Sequence, residues 1–126
     1  MAGLHLRLLA GEYAICRLAP DEPVPSWSGS AVFSAVTRTC AELSILCPVT
    51  QVPVATRHEA GWCVFELAGP FPFTATGVLA SALTPLAAAQ ISILAQSTFE
   101  TDYVLVKADQ LSVARAALTA AGHTVG

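Results

Sequence analysis

Ser97-Thr98-Phe99-Glu100-Thr101-Asp102-Tyr103-Val104-Leu105-Val106 is the stretch on which the fold turns. A polar, acid-containing turn stands between two runs of strand formers, Ile91 to Gln96 and Tyr103 to Lys107, so the segment reads as a hairpin. Upstream, Gly69-Pro-Phe-Pro-Phe-Thr-Ala-Thr-Gly77 is broken by prolines and then opens an amphipathic helix. From Thr76-Gly77 onward, Val78, Leu79, Ala82, Leu83, Leu86 and Ala87 share one stripe. Pro85 falls inside that helix, where it removes one backbone hydrogen bond. Downstream, Asp109 is placed to cap a last helix with Leu111, Ala114 and Leu118 on one face, and Gly122 stops it. Thr124-Val125 offers a final short strand. With Trp62 to Leu67 as a strand ahead of the first helix, the second half reads β-α-β-β-α-β, an α+β, ferredoxin-like order.

The first half is less regular. Leu4 to Leu9 alternates apolar residues with His5 and Arg7, as a half-buried strand does, and Ala10-Gly11-Glu12 turns it into a second strand, Tyr13 to Leu18. The three prolines of Pro20 to Pro25 allow one short helical turn before Gly29 and no long helix. Val32 to Thr37 and Leu43 to Cys47 read as strands, and Pro48 to Gly61 as a connecting loop. A weak internal repeat runs through both halves. Leu8-Leu-Ala-Gly11 is echoed by Glu66-Leu-Ala-Gly69, and Thr37-Arg-Thr-Cys-Ala-Glu42-Leu-Ser-Ile-Leu46 by Ser97 to Val106, which sets Glu42 against Asp102. On that reading residues 1–60 form a degenerate unit and 61–126 a complete one.

Composition narrows the function. Hydrophobic residues make up 54% of the 126 and charged residues 12%, an apolar surplus that covered sheet faces or a subunit interface must hide. The net charge is −3 and the six Lys and Arg are scattered, which argues against a nucleic-acid partner. Neither the N-terminus nor Leu86 to Ala95 has the length or flanks of a leader or a membrane span, so the cytoplasm is the default location. Cys16, Cys40, Cys47 and Cys63 lack CxxC spacing and read as reduced thiols. The three histidines show no metal-ligand spacing, and no GxSxG elbow, P-loop or dinucleotide fingerprint is present. No enzyme, metal or cofactor is therefore expected.

A site for a free amino acid would have to supply partners for both poles of a zwitterion. A carboxylate needs donors, and the unpaired N–H groups of the helix starting at Gly77 and Val78 supply them with the help of the helix dipole. A cation needs an acid, and Asp102 stands in the neighbouring turn, where Thr98, Phe99 and Thr101 offer carbonyls, hydroxyls and an apolar wall. Each has a plainer alternative. Gly77 serves equally well as a tight turn, Asp102 as a solvated turn residue and Phe99 as core.

The pattern TGxL…STFxTDYxLV resembles the ACT units of CASTOR-type arginine sensors, best from Gly61 to Leu118. That resemblance implies a tandem ACT protein that binds an amino acid and acts as a regulator. It implies ligand contacts at Gly77, Thr98, Phe99 and Asp102, with backbone from Ser92 and Ile93 of a partner unit. The sensors are longer, with more ACT units per chain, so a chain of this size must pair as a homodimer to build the same cleft. A docking module that uses the sheet edge around a vestigial pocket is the alternative.

Overall fold

The computed structural model describes residues 3–126. Eight strands and two helices follow one another as β1 (His5–Leu8), β2 (Tyr13–Leu18), β3 (Ala35–Arg38), β4 (Leu43–Pro48), β5 (His58–Leu67), α1 (Val78–Ala88), β6 (Ile93–Ser97), β7 (Asp102–Lys107), α2 (Leu111–Ala120) and β8 (Thr124–Val125). They fall into two compact units. One is Gly11–Trp62; the other joins the residues up to Ala10 to Cys63–Gly126. Compactness thus groups the chain differently from a cut at residue 60, because β1 is built into the second unit.

That second unit carries the β-α-β-β-α-β order with an extra strand. Its sheet runs β6-β7-β5-β1-β8, so β1 lies between β5 and β8, antiparallel to the first and parallel to the second. The closing strand therefore pairs with β1, through Thr124 N–H to the Leu4 carbonyl and Gly126 N–H to the Leu6 carbonyl. One face of the sheet is apolar and both helices cover it. Val78, Ala82 and Leu86 from α1 and Ala114 and Leu118 from α2 are buried against Leu4, Leu6, Phe65, Leu67, Val104 and Val106. Leu79 and Leu83 pack at the margin, while Ala87, expected on the stripe, faces out.

Both helices end in Schellman motifs. In α2, Gly122 at φ 95° lets His123 N–H reach the Leu118 carbonyl and its own N–H reach that of Thr119. In α1 the same bonds form around Gln90 at φ 60°, a non-glycine residue whose role no sequence signal marked. The start of α2 differs from expectation. Asp109 lies in a 3-10 turn, Ala108–Gln110, and makes no side-chain cap; Gln110 occupies the capping position.

In the first unit the order is β3-β4-β2-β5, with the early part of β5 beside β2. The connections that hold helices in the other unit hold single 3-10 turns here, Ser26–Ser28 and Val49–Gln51. One cluster of its core is Cys16, Leu43, Ile45 and Cys47, with Leu18, Trp27 and Val52 against them; Tyr13, Ala14, Phe33, Leu46 and Trp62 are buried as well. Two boundaries move. β3 begins at Ala35, and ahead of it Ser30 Oγ accepts the Val32 N–H in a local turn. β5 begins at His58, inside the expected loop, since its exposed His58 and Glu59 pair with Cys16 and Ile15 without any apolar alternation. The register shifts between Tyr13 and Ile15, where Gly61 at φ 88° gives its N–H to Glu12 Oε2 at 2.8 Å.

Turn for turn, residues 39–51 and 98–110 are alike at a constant offset (39 to 98, 43 to 102, 49 to 108). Thr39 N–H donates to the Glu42 carbonyl just as Thr98 N–H donates to that of Thr101, and each hairpin leads to a six-residue strand and a 3-10 turn. This corrects the sequence alignment by one position. Glu42 corresponds to Thr101, and the counterpart of Asp102 is Leu43, which is fully buried.

Candidate functional site

The β6–β7 hairpin and the approach to α1 enclose a cleft of about 220 Å³. Phe71, Pro72, Phe73 and Ala75 line one side, Val78 the helix start, and Ser97 to Asp102 the other side. Register explains the arrangement. Ser97 and Asp102 close the hairpin as a direct pair, and alternation along the strands puts Val104 and Val106 in the core beneath the helices. Asp102 is thus the last residue on the helix-covered face, where the apolar layer gives way to the cleft.

Each candidate residue has a definite place. Gly77 caps α1 at φ 74°, ψ 6°, a left-handed conformation that favours glycine, and space is open where a Cβ would stand. Val78 is buried and floors the cleft beside the helix start. Asp102 is half-buried, and its Oδ1 accepts a hydrogen bond from Ser97 Oγ. Thr98 and Thr101 are committed locally: the Thr98 hydroxyl donates to the Thr101 carbonyl, and the Thr101 hydroxyl to that of Leu67. They shape the turn, and both residues line the cleft. Phe99 is 80% exposed, so it is not core. Ser92 and Ile93 lie at the opposite end of β6 from the cleft and are not part of it within one chain.

Two residues were missed. Phe73, 76% exposed, meets Phe99 edge to face with ring centroids 5.0 Å apart, so two solvent-facing aromatics from different loops meet at the cleft. An aromatic in a proline-broken stretch has no periodicity to advertise it. Ser97 was legible by register: counting back across the turn from Asp102 puts it directly opposite.

The electrostatics are one-sided. Among the described residues Glu100 and Asp102 line the cleft and no Lys or Arg does, while the N-terminus of α1 adds positive potential. Behind the same turn lies a second, polar hollow of about 280 Å³ with Arg7, Glu66 and Tyr103 on its wall. Arg7 pairs with Glu66, whose other oxygen accepts the Tyr103 hydroxyl at 2.9 Å. Burial, and then that hydrogen bond to a carboxylate, push the Tyr103 phenol up. In the first unit, burial and the adjacent Cys47 push the Cys16 thiol up to about 11. Such a thiol is protonated at neutral pH and a poor nucleophile, whereas Cys40 is exposed in its turn. Among the described residues no three His, Cys, Asp or Glu stand together to hold a metal, and no helix is long and apolar enough to cross a membrane.

The family model for the ACT domain matches residues 57–120, which run from β5 through α2, and a model for an N-terminal domain matches residues 11–55. No protein of curated function matches the chain. Among solved structures, an Agrobacterium tumefaciens protein is 36% identical over 100% of this chain and 94% of its own, with a TM-score of 0.94. The regulatory subunit of aspartate kinase from Thermus thermophilus is 10% identical over 92% of this chain and 96% of its own, with a TM-score of 0.64. Escherichia coli aspartokinase III, solved in complex with aspartate and ADP, is 13% identical over 94% of this chain and 32% of its own, at 0.63. The aspartate kinases share the fold, an ACT-like α+β arrangement with a mixed sheet and two helices. Together with the ACT match over its C-terminal half, this establishes that the chain belongs to the ACT domain family.

Proposed function

We propose that the cleft at the N-terminus of α1 binds a free amino acid or a similar zwitterion and that the protein is a regulator, not an enzyme. The observation that carries this reading is the placement of the Asp102 carboxylate beside the start of α1, inside one cleft that also holds Val78, Thr98, Phe99 and Thr101. The two poles of a zwitterion have complementary partners there. The ligand carboxylate lies against the free N–H groups after Gly77, and its cationic group meets Asp102, which Ser97 holds in place. The rings of Phe73 and Phe99 flank the ligand's carbon skeleton. Ser92 and Ile93 come from the C-terminal unit of a second chain, which completes two equivalent sites in a cytoplasmic homodimer. The regulatory subunits of aspartate kinase, which share this fold, support a regulatory role.

Thermal-shift measurements against the twenty amino acids, with the mass in solution taken alongside, test this. A ligand at about a hundred times its dissociation constant adds about 2.7 kcal/mol, which a melting curve resolves. A shift with one or two amino acids on a dimer supports the reading, and Asp102→Asn then weakens that ligand by about tenfold or more. No shift with any amino acid favours the second reading, a docking module. The observation behind that alternative is β6, which among the described residues pairs with β7 alone and leaves an edge open to an added strand. Asp102→Asn leaves such docking intact.

A further inference from the structure

His123 is the buried titratable side chain of the second unit, 8% exposed, and both its ring nitrogens are engaged. Its place is fixed by the stop of α2, where Gly122 turns the chain and the His123 N–H returns to the Leu118 carbonyl. Nδ1 accepts the Leu4 N–H at 2.9 Å. In a neutral imidazole the proton then sits on Nε2, which donates to the Ser81 carbonyl at 2.8 Å. In an unbroken helix the Ser81 carbonyl would receive the N–H of residue 85. That residue is Pro85, which has none. The imidazole of His123 stands where the helix lacks its own donor.

Ser81 belongs to the opening turns of α1. Its own N–H donates to the Gly77 carbonyl and its hydroxyl to that of Val78, the two residues that begin the helix at the cleft. One ring therefore ties the approach to β1 to α1, four residues from the helix N-terminus. Few other charges compete for it. α1 and β8 contain no titratable side chain; β1 carries His5 and Arg7, and α2 carries Arg115. Of these, His5 lies beside Gly126 and Arg7 is paired with Glu66. The cavity next to the ring, about 550 Å³, is lined by uncharged residues such as Gly3, Thr84 and Ala121.

We propose that His123 is a positioning residue for α1 and that adding a proton to its imidazole releases the clasp. An imidazolium donates from both nitrogens, so Nδ1 then faces the Leu4 N–H donor to donor, while the ring carries a charge beside a cavity whose other described lining residues bear none. The bond to Leu4 is lost, the ring leaves its seat, and the Ser81 carbonyl loses the donor that stood in for Pro85. Acid thereby loosens the helix whose N-terminus forms one pole of the cleft, a consequence that rests on the amino-acid reading above. The clasp itself does not.

Amide hydrogen exchange on the full chain, corrected for the intrinsic pH dependence of exchange, tests the clasp with no amino acid added. Between about pH 7.5 and pH 5.5 the Leu4 amide and the α1 amides of Ala82, Leu83, Thr84 and Leu86 lose protection by about tenfold. In His123→Gln, whose amide does not titrate, both losses disappear. In Pro85→Ala the helix regains its own donor to Ser81, so α1 keeps its protection in acid while Leu4 still loses it. Undiminished acid sensitivity in His123→Gln, or none in the wild type, overturns the proposal. Should His123→Gln fail to fold, Pro85→Ala decides alone: an α1 that stays as acid-sensitive as the wild type sinks the idea. Because no amino acid is present, failure of the binding reading leaves these outcomes untouched.

Discussion

Gly3 and Gly77 are small for different reasons, and the difference is measurable. A Cβ on Gly3 would stand 2.0 Å from the Gly122 carbonyl oxygen, a backbone atom that cannot rotate away. A Cβ on Gly77 would meet nothing within 4 Å, but the residue sits at φ 74°. Gly77→Ala therefore costs about 1 kcal/mol of backbone strain and moves the urea midpoint modestly. Gly3→Ala displaces the segment ahead of β1 and costs more, about 2 kcal/mol or above, on the scale of other forced backbone shifts. A smaller loss at Gly3 than at Gly77 would contradict the geometry. At this scale the sequence was legible where chemistry dictates conformation, as at Gly77 and Gly122. It was not legible where a side chain acts only through a neighbour brought from elsewhere in the chain. Phe73 gains meaning from Phe99, and His123 from Pro85, and no local pattern announces either pair. Glu42 was misread for a related reason. A one-residue slip in a hairpin exchanges the two faces, so a matched acid in sequence became a buried leucine in register.

The elements were read best where a periodic stripe meets one buried face. α1, α2, β2, β4 and β7 lie within a residue or two of where their apolar spacing placed them. The early part of β5 escaped because an exposed strand can be held by backbone pairing alone. Asp109 misled because a 3-10 turn delays the helix past the residue that looked like its cap. Pairing of β2 with β4 also has an energetic signature. Cys47 pairs with Ala14 and Cys16 with Ile45, which makes the two thiols diagonal neighbours in the buried core. Burial raises both, Cys16 from 9.0 to about 11, so the unfolded chain releases these protons before the folded one does. Stability is unaffected by them below about pH 9 and falls as pH rises from there toward 11. Chemical denaturation at about pH 8 and about pH 10 should show a steeper alkaline loss in the wild type than in Cys16→Val. Equal slopes would mean that the thiols are not protected by the sheet.

For the whole molecule, the decisive feature is that β1 completes a unit whose other strands begin more than fifty residues later. The ACT match covers residues 57–120, yet the sheet it describes needs Leu4 and Leu6 in its core and β1 as the seat of β8. A fragment spanning Cys63–Gly126 should therefore show no cooperative melting by circular dichroism. Joining residues 3–10 to it through a short Gly/Ser linker should restore a transition. Cooperative unfolding of the bare fragment would refute that dependence. The sequence repeat suggested a break near residue 60, since similarity follows chain order, whereas burial follows partners. β5 shows the two principles meeting in one strand, its early residues pairing with β2 and its later ones with β1.

The place of β1 also orders events in time. As the chain leaves the ribosome, His5–Leu8 is made well before its neighbours β5 and β8. Gly11–Trp62 is contiguous and reaches its pairings within its own length. β1 must therefore wait, unpaired and carrying Leu6 exposed, through the synthesis of everything between. Such long-range closure is slow and leaves apolar strand surface open to chaperones in the meantime. The unit that holds the cleft is by this logic completed after Gly11–Trp62, and the wait of β1 for its partners sets the delay.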